Sequence, residues 1–279
     1  VTVLGIDATR RGRTRWCQDP GTRRWEPTAD RWHTGFVDAT GTQGLLGQVE
    51  GCAPSDVLAW LANHPKPWRE QIAYVAINMS AGYRTAVRTG LPHATVVVDH
   101  FHVIQLANKM LNLVRRRTTA TLRGRRGRVG DPRWKARRRL LRNREDLTDT
   151  QLSTLGNQII GTGGIGTTLL TAWIAKEELR DLLARAARTT DRHRTGHLRW
   201  KFLTWYADCD IPAVRTLDRW WPEIQAFVTT GHSNAKSEGI NRMIKLAGRP
   251  ADGFRNPTNQ RLRTRCVTTR RARGHLHPA

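Results

Sequence analysis

Residues 74–102 read YVAINMSAGYRTAVRTGLPHATVVVDHFH, a strand, a helix and a second strand. Tyr74-Val75-Ala76-Ile77 is a short apolar run, and Thr95-Val96-Val97-Val98 is a more β-branched one. Runs of this length between turn residues suit strands buried on both faces of a parallel sheet. Between them, Ser80 can cap a helix over residues 81–89, which Gly90, Leu91 and Pro92 bring to an end. Each strand stops on polar residues, Asn78 after the first and Asp99, then His102, after the second. In open α/β sheets such groups point into a crevice at the carboxyl ends of the parallel strands. The chemistry is expected there.

Upstream, residues 1–6 form a strand ending at Asp7, and residues 10–30 are basic and turn-rich, with Asp19-Pro20-Gly21 as a hairpin turn. Residues 33–38 and 45–49 bracket Thr40-Gly41-Thr42 and read as an antiparallel pair. Residues 54–63 read as a helix capped by Ser55, with Val57, Leu58 and Leu61 on its buried face. Downstream, residues 103–117 carry Ile104, Ala107, Met110, Leu111 and Val114 at helical spacing. Residues 169–187, 199–208 and 213–229 also look helical. Gly161 to Gly166 (GTGGIG) lacks both a G-K-[ST] ending and a preceding strand, so it reads as a flexible connection rather than a phosphate loop. Val1 lies inside a strand-like run with no Met before it, as expected of a fragment or a 5′-truncated reading frame.

Among 279 residues the formal net charge is +24, which implies a polyanionic partner, nucleic acid before a membrane surface. No apolar run reaches membrane-spanning length. The 11 tryptophans argue for folded protein rather than a basic tail. Cys17, Cys52, Cys209 and Cys266 have no finger-like spacing and read as reduced thiols. Residues 115–144 hold roughly half of the excess positive charge with almost no acid to neutralise it. Arg115, Arg116, Arg117, Arg123, Arg125, Arg126, Arg128, Arg133, Lys135, Arg137, Arg138 and Arg139 are therefore expected at nucleic-acid phosphates. Ser233 or Asn234 can cap a late helix on which Glu238, Asn241 and Lys245 share one face and Ile240 and Ile244 another. A carboxylate, an amide and an ammonium so aligned suit a metal and a phosphate. The tail, residues 260–273, is basic again.

Two-metal phosphodiester cleavage needs acids converging from separate elements on ions about 3.5–4 Å apart. Ions of the magnesium type prefer carboxylate oxygens. Asp7 and Glu238 suit that role, while Asp99 and Asn78 compete for the third place.

Several segments, in one order, carry a family resemblance. They are Leu4-Gly-Ile-Asp7, Ala76-Ile-Asn-Met-Ser80 with Tyr83, Leu91-Pro-His-Ala94 and Val97-Val-Asp-His-Phe-His102. Later come Ser237-Glu-Gly-Ile-Asn241 with Ile244-Lys245, and Gly253-Phe-Arg-Asn256 leading to Arg261-Leu-Arg263. The chain resembles the DDE transposases of bacterial insertion sequences, the ISL-type group, over nearly its whole length. The resemblance implies an α/β fold, an RNase-H-like mixed five-stranded sheet with flanking helices and a helical basic insertion. It divides the chain into core strands at residues 1–103, the insertion at 104–232, and a core helix with a basic tail at 233–279. It further implies Mg²⁺ or Mn²⁺, double-stranded DNA of transposon ends and target, a homo-oligomer in the active complex, no membrane, and a place in the bacterial cytoplasm at the nucleoid.

By position, Asp7 is the first acid and Glu238 the last. Asn78 takes the second acid's place, and Asp99 to His102 matches a [C/D]-x-x-H element. Two departures matter. The family usually has aspartate where this chain has Asn78, and glutamate where it has Ala8. Impaired catalysis, or Asp99 serving as second acid, follows from the first. The family's N-terminal zinc-binding and helix-turn-helix region has no counterpart in this sequence. A DNA-binding remnant without catalysis is the competing reading. A basic RNA-binding protein would explain the charge but leaves Asp7, Asp99 and Glu238 without a role.

Overall fold

The structure, a computed structural model, describes residues 1–12, 14–29, 31–160, 164–189, 192–207, 215–250, 254 and 256–272. It divides into two compact units, Val1–Asp99 with His232–Ala279, and His100–Gly231. The first unit runs β1 (Val3–Arg10), β2 (Arg15–Gln18), β3 (Trp25–Ala29), β4 (Trp32–Asp38), β5 (Leu45–Glu50), α1 (Pro54–Ala62), α2 (Lys66–Glu70), β6 (Tyr74–Ile77), α3 (Ala81–Gly90) and β7 (Thr95–Val98). The second is helical: α4 (His100–Arg123), α5 (Pro132–Ala136), a 3-10 turn at Arg144–Asp146, α6 (Asp149–Ile160), α7 (Gly164–Ala186), α8 (Arg192–Ala207), α9 (Arg215–Asp218) and α10 (Trp221–Thr230). The chain then returns to the first unit for α11 (Ala235–Gly248) and α12 (Pro257–Ala272).

Five strands form one sheet in the order β5-β4-β1-β6-β7. β5, β4 and β1 are antiparallel neighbours, whereas β1, β6 and β7 are parallel. This is the RNase-H-like arrangement that the resemblance implied. Helices cover both faces, so the strands read as continuous apolar runs. Phe36 of β4 stacks on Trp60 of α1 with ring centroids 3.7 Å apart. Its neighbour Val37 points the other way, into a cluster with Leu45, Ile240 and Ile244. Each such buried side chain contributes about 1.5–3 kcal/mol.

α3 begins where the sequence places it. Ser80 Oγ accepts the Tyr83 N–H at 3.3 Å, while Tyr83, Ala86 and Val87 turn inward. Tyr83 Oη lies 2.8 Å from Thr34 Oγ1 on β4, and burial pushes its phenol up to about 12. Two other element bounds differ from expectation. α1 is capped from Ala53, because the Asp56 carboxylate accepts the Ala53 N–H at 2.8 Å, and Ser55 stays exposed. β1 continues three residues past Asp7, because Ala8, Thr9 and Arg10 still pair with Thr34, His33 and Trp32 of β4.

His33, on β4, is 2% exposed and its Nε2 has no hydrogen-bond partner among the described residues. Burial first, then the Arg11 guanidinium, lowers its pKa to about 4. The unfolded chain, with an ordinary imidazole near 6.5, takes up that proton more readily. Stability is therefore complete above about pH 6.5 and falls as pH drops toward 4. Thermal melting across that window is expected to show the decline, and His33→Phe to flatten it.

In the second unit α4 outruns residues 103–117, because Arg115, Thr118 and Thr119 extend its buried stripe. The two threonine hydroxyls donate to the carbonyls of Val114 and Arg115. Leu111 and Val114 share a core with Ala136, Leu140, Leu155, Leu169 and Trp173. Buried Lys176 donates to the carbonyls of Leu140 and Arg142 and pairs with Glu177, tying α7 to the segment before the 3-10 turn. The single helix expected over residues 213–229 is two, α9 and α10. Pro222, which has no N–H to donate, sits in the first turn of α10. Of GTGGIG, residues 161–163 lie outside the described residues, and Gly164 already opens α7. Among the described residues no helix is long and apolar enough to cross a membrane. Among the described residues Cys17, Cys52 and Cys266 form no disulfide; Cys209 lies outside them.

Candidate active site

Three polar side chains are set in a row by strand register. Ile6 pairs with Ile77, and Ile77 with Val98, in parallel ladders. The next residue of each strand is Asp7, Asn78 and Asp99. Side chains in register across parallel strands leave the same face, with neighbouring strands about 4.8 Å apart. The Asp99 N–H still donates to Ile77 O at 3.0 Å, which holds the end of the row.

The face is that of α11, and Gly5 sets how closely the helix approaches. A Cβ built on Gly5 would lie 2.4 Å from Ser237 Oγ and 2.7 Å from Asn234 Oδ1, so only glycine admits the helix here. Gly5 and Asp7 are two apart and share a face. Asn234, the residue before α11, donates its side-chain Nδ2 to Ile6 O at 3.0 Å and its backbone N–H to Asp99 Oδ2 at 2.7 Å. Ile240 and Ile244 seat the helix on Val37 and Leu45. Glu238 and Asn241 consequently face the strand ends.

The Asp7 carboxylate is held by amides. Its Oδ1 accepts from Ala8 N–H at 2.8 Å and from Asn78 Nδ2 at 3.3 Å; its Oδ2 accepts from Asn241 Nδ2 at 2.7 Å. Asn241, read from sequence as a phosphate contact, is 7% exposed and serves Asp7 instead. Asn78 turns its amide nitrogen to Asp7 and leaves Oδ1 buried with no hydrogen-bond partner among the described residues. A carboxylate oxygen of buried Asp99 and one of half-buried Glu238 lie within 4.8 Å of each other. Two carboxylates this close repel each other, and a cation between them would offset that repulsion. Within the first unit the donors nearest each other are carboxylate oxygens, the ligand type that hard divalent cations prefer. Sequence reasoning named Asn234 only as a candidate cap and gave Ser237 no role in the site; Asn234, Ser237 and Asn241 follow one another by three and then four residues, which was the available signal.

His102 lies in the first turn of α4, in the second unit. The basic stretch of that unit divides. Arg116, Arg117, Arg123, Arg126, Arg128, Lys135 and Arg138 are exposed, whereas Arg125, Arg137 and Arg139 are half-buried. Arg115 and Arg133 turn inward, 5% and 3% exposed. Arg115 donates to Asn112 Oδ1 at 2.6 Å and lies over the Trp134 ring, and Arg133 donates to Thr118 O at 3.1 Å. Burial lowers the pKa of both guanidinium groups. Arg123 and Arg125 also pair with Asp131. In the first unit, Lys245 is exposed on the last turn of α11.

Residues 27–264 match a family described as transposase, of the ISL3 group of DDE enzymes. The transposase for insertion sequence element IS1001 of Bordetella parapertussis is 25% identical over 237 residues, covering 81% of this chain and 54% of that protein. The transposase for insertion sequence element IS1557 of Mycobacterium tuberculosis is 28% identical over 220 residues, covering 67% and 46%. A solved structure, the Drosophila P element transposase strand transfer complex, aligns over 98% of this chain and 77% of that one, at 11% identity and a TM-score of 0.48. The chain spans about half the length of the curated relatives it matches. With the family matched across most of its residues, the chain belongs to the ISL3 group of DDE transposases.

Proposed function

We propose that the chain is the catalytic portion of a transposase that cuts a DNA strand at the ends of an insertion sequence and joins the freed 3′-OH to target DNA. One observation carries this reading: the Asp7-Asn78-Asp99 row with Glu238 on the helix above it. Asp99 and Glu238 would hold a divalent ion of the magnesium or manganese class, and Asn78 Oδ1 offers it a neutral oxygen. When bound, such an ion polarises a phosphoryl oxygen and lowers the pKa of an attacking water. Asp7 is oriented by Asn78 and Asn241 and is the acid nearest the β4 side of the row. Asn234 and Gly5 position α11, and with it Glu238. Exposed Arg116, Arg117, Arg126, Arg128, Lys135, Arg138 and Lys245 would take DNA phosphates without reading bases.

Asn78 also supports a second reading, a DNA-binding relative with weakened strand chemistry, since it brings an amide where a charge would help. Binding of Mn²⁺ followed by electron paramagnetic resonance separates the two. The chain is expected to bind the ion, and Asp99→Asn with Glu238→Gln to lose it. Duplex affinity in both proteins should fall with a log–log salt slope of about −0.9 per phosphate neutralised and vary little with sequence. Duplex binding without Mn²⁺ binding would leave the second reading standing.

A further inference from the structure

Between β1 and β4 the chain leaves the sheet as a separate two-stranded ribbon, β2 paired with β3. All of β2 is exposed, as are Trp25, Glu26 and Pro27 of β3. Trp16 and Trp25 are 57% and 65% exposed. Trp16 pairs with Pro27, and Gln18 with Trp25. Strand alternation therefore puts both indoles on one face, with Cys17 and Glu26 on the other. Diagonal neighbours on a ribbon lie about 7 Å apart, which leaves room for a flat ring beside each indole.

The tip is built rather than loose. Asp19 Oδ1 accepts from Gly21 N–H at 2.8 Å and Thr22 N–H at 2.6 Å, and Gln18 Nε2 donates to Arg23 O at 2.9 Å. Arg23 is held at φ 54°, a left-handed conformation unusual for its type. Arg15, Arg23 and Arg24 are exposed around the indoles. The ribbon departs from the carboxyl end of the central strand that carries Asp7, since Arg10, about 10 Å along the strand at roughly 3.3 Å per residue, is the last residue of β1. Pro27 has no N–H to offer a further strand, which argues against a second copy adding to this edge.

We propose that the ribbon is a clamp for unpaired bases. Trp16 and Trp25 stack on bases of a frayed or single-stranded DNA end, and Arg15, Arg23 and Arg24 hold its phosphates. An indole enters a duplex only by unstacking a base step, whereas every unstacked base already presents a free face to it, so the clamp favours unpaired ends and is indifferent to sequence. The proposal rests on the reading that the chain acts on DNA ends.

Fluorescence anisotropy with the full chain tests it, using a labelled blunt duplex and the same duplex ending in a short single-stranded overhang. The chain is expected to prefer the overhang by about tenfold or more, the scale of base–aromatic stacking. Trp16→Ala with Trp25→Ala should abolish the preference and leave blunt-duplex affinity and thermal melting unchanged. Trp16→Phe with Trp25→Phe should keep most of it. Equal affinity of the chain for the two DNAs, or a preference that survives the alanine pair, overturns the clamp. So does an alanine pair that unfolds, or one whose only effect is to change a dimer into a monomer in sedimentation. Absence of blunt-duplex binding by the unaltered chain would instead count against the DNA-acting reading itself.

Discussion

Asn78→Asp is expected to raise Mn²⁺ affinity and metal-dependent DNA cleavage together, by on the order of 10²–10³-fold in rate. The substitution exchanges a donor for an acceptor. Asn78 Nδ2 lies 3.3 Å from Asp7 Oδ1, so an aspartate there would set two carboxylates against each other, with Asp99 next in the row. Without a cation that repulsion raises one carboxylate pKa and destabilises the fold above it. With a cation, the same charges become ligands. A metal ion's contribution to transition-state stabilisation is several kcal/mol, and each 1.36 kcal/mol is tenfold in rate. Melting in chelator should therefore be lower for Asn78→Asp than for the parent, and Mn²⁺ should raise it by more in the variant than in the parent. Nicking of supercoiled DNA gives the catalytic readout. Equal nicking by parent and variant, abolished in both by Asp99→Ala, would make Asp99 the second acid in its own right.

Gly5→Ala should cost about 1–3 kcal/mol in urea unfolding, the range for overpacking a close contact, and should also weaken Mn²⁺ binding. The new methyl would meet Ser237 Oγ and Asn234 Oδ1 well inside contact distance. Both belong to short side chains at the start of α11, with little freedom to swing aside, so the helix must lift. Lifting it draws Asn241 from Asp7 and Glu238 from Asp99. Ser237→Gly in the same chain removes one obstruction and should restore part of both losses; the double-mutant cycle measures that coupling. Unchanged stability and unchanged Mn²⁺ binding in Gly5→Ala would refute the close approach.

Where local chemistry and burial agree, the sequence is legible. β6 and β7 read as apolar runs because both faces are covered, and α3 because Ser80 and Gly90 bound it. The row of Asp7, Asn78 and Asp99 was anticipated at strand ends, yet its register needed the pairing of three strands distant in sequence. Of the β2–β3 ribbon only the hairpin turn at Asp19-Pro20-Gly21 was legible, because the exposed strands give no alternation of apolar and polar residues. The arginines misled in a different way. A charge run suggests a solvated face, but Arg115 falls four residues after Leu111 on the buried stripe of α4. It is carried inward by its helix and satisfied there by Asn112 and Trp134. Asn241 was given to phosphate because nothing local reveals Asp7 as its partner, 234 residues away.

The insertion of His100–Gly231 between β7 and α11 also sets a timetable. During synthesis the strands leave the ribosome first, and the helix that covers Gly5 and carries Glu238 emerges only after the entire second unit. At about 5–20 residues per second, a nascent chain spends on the order of ten seconds with one face of its sheet bare and its acid set incomplete. Premature termination anywhere within the insertion yields a polypeptide that lacks Glu238. Such a product would lack the carboxylate that lies beside Asp99, and its uncovered sheet would mark it for chaperones and proteases.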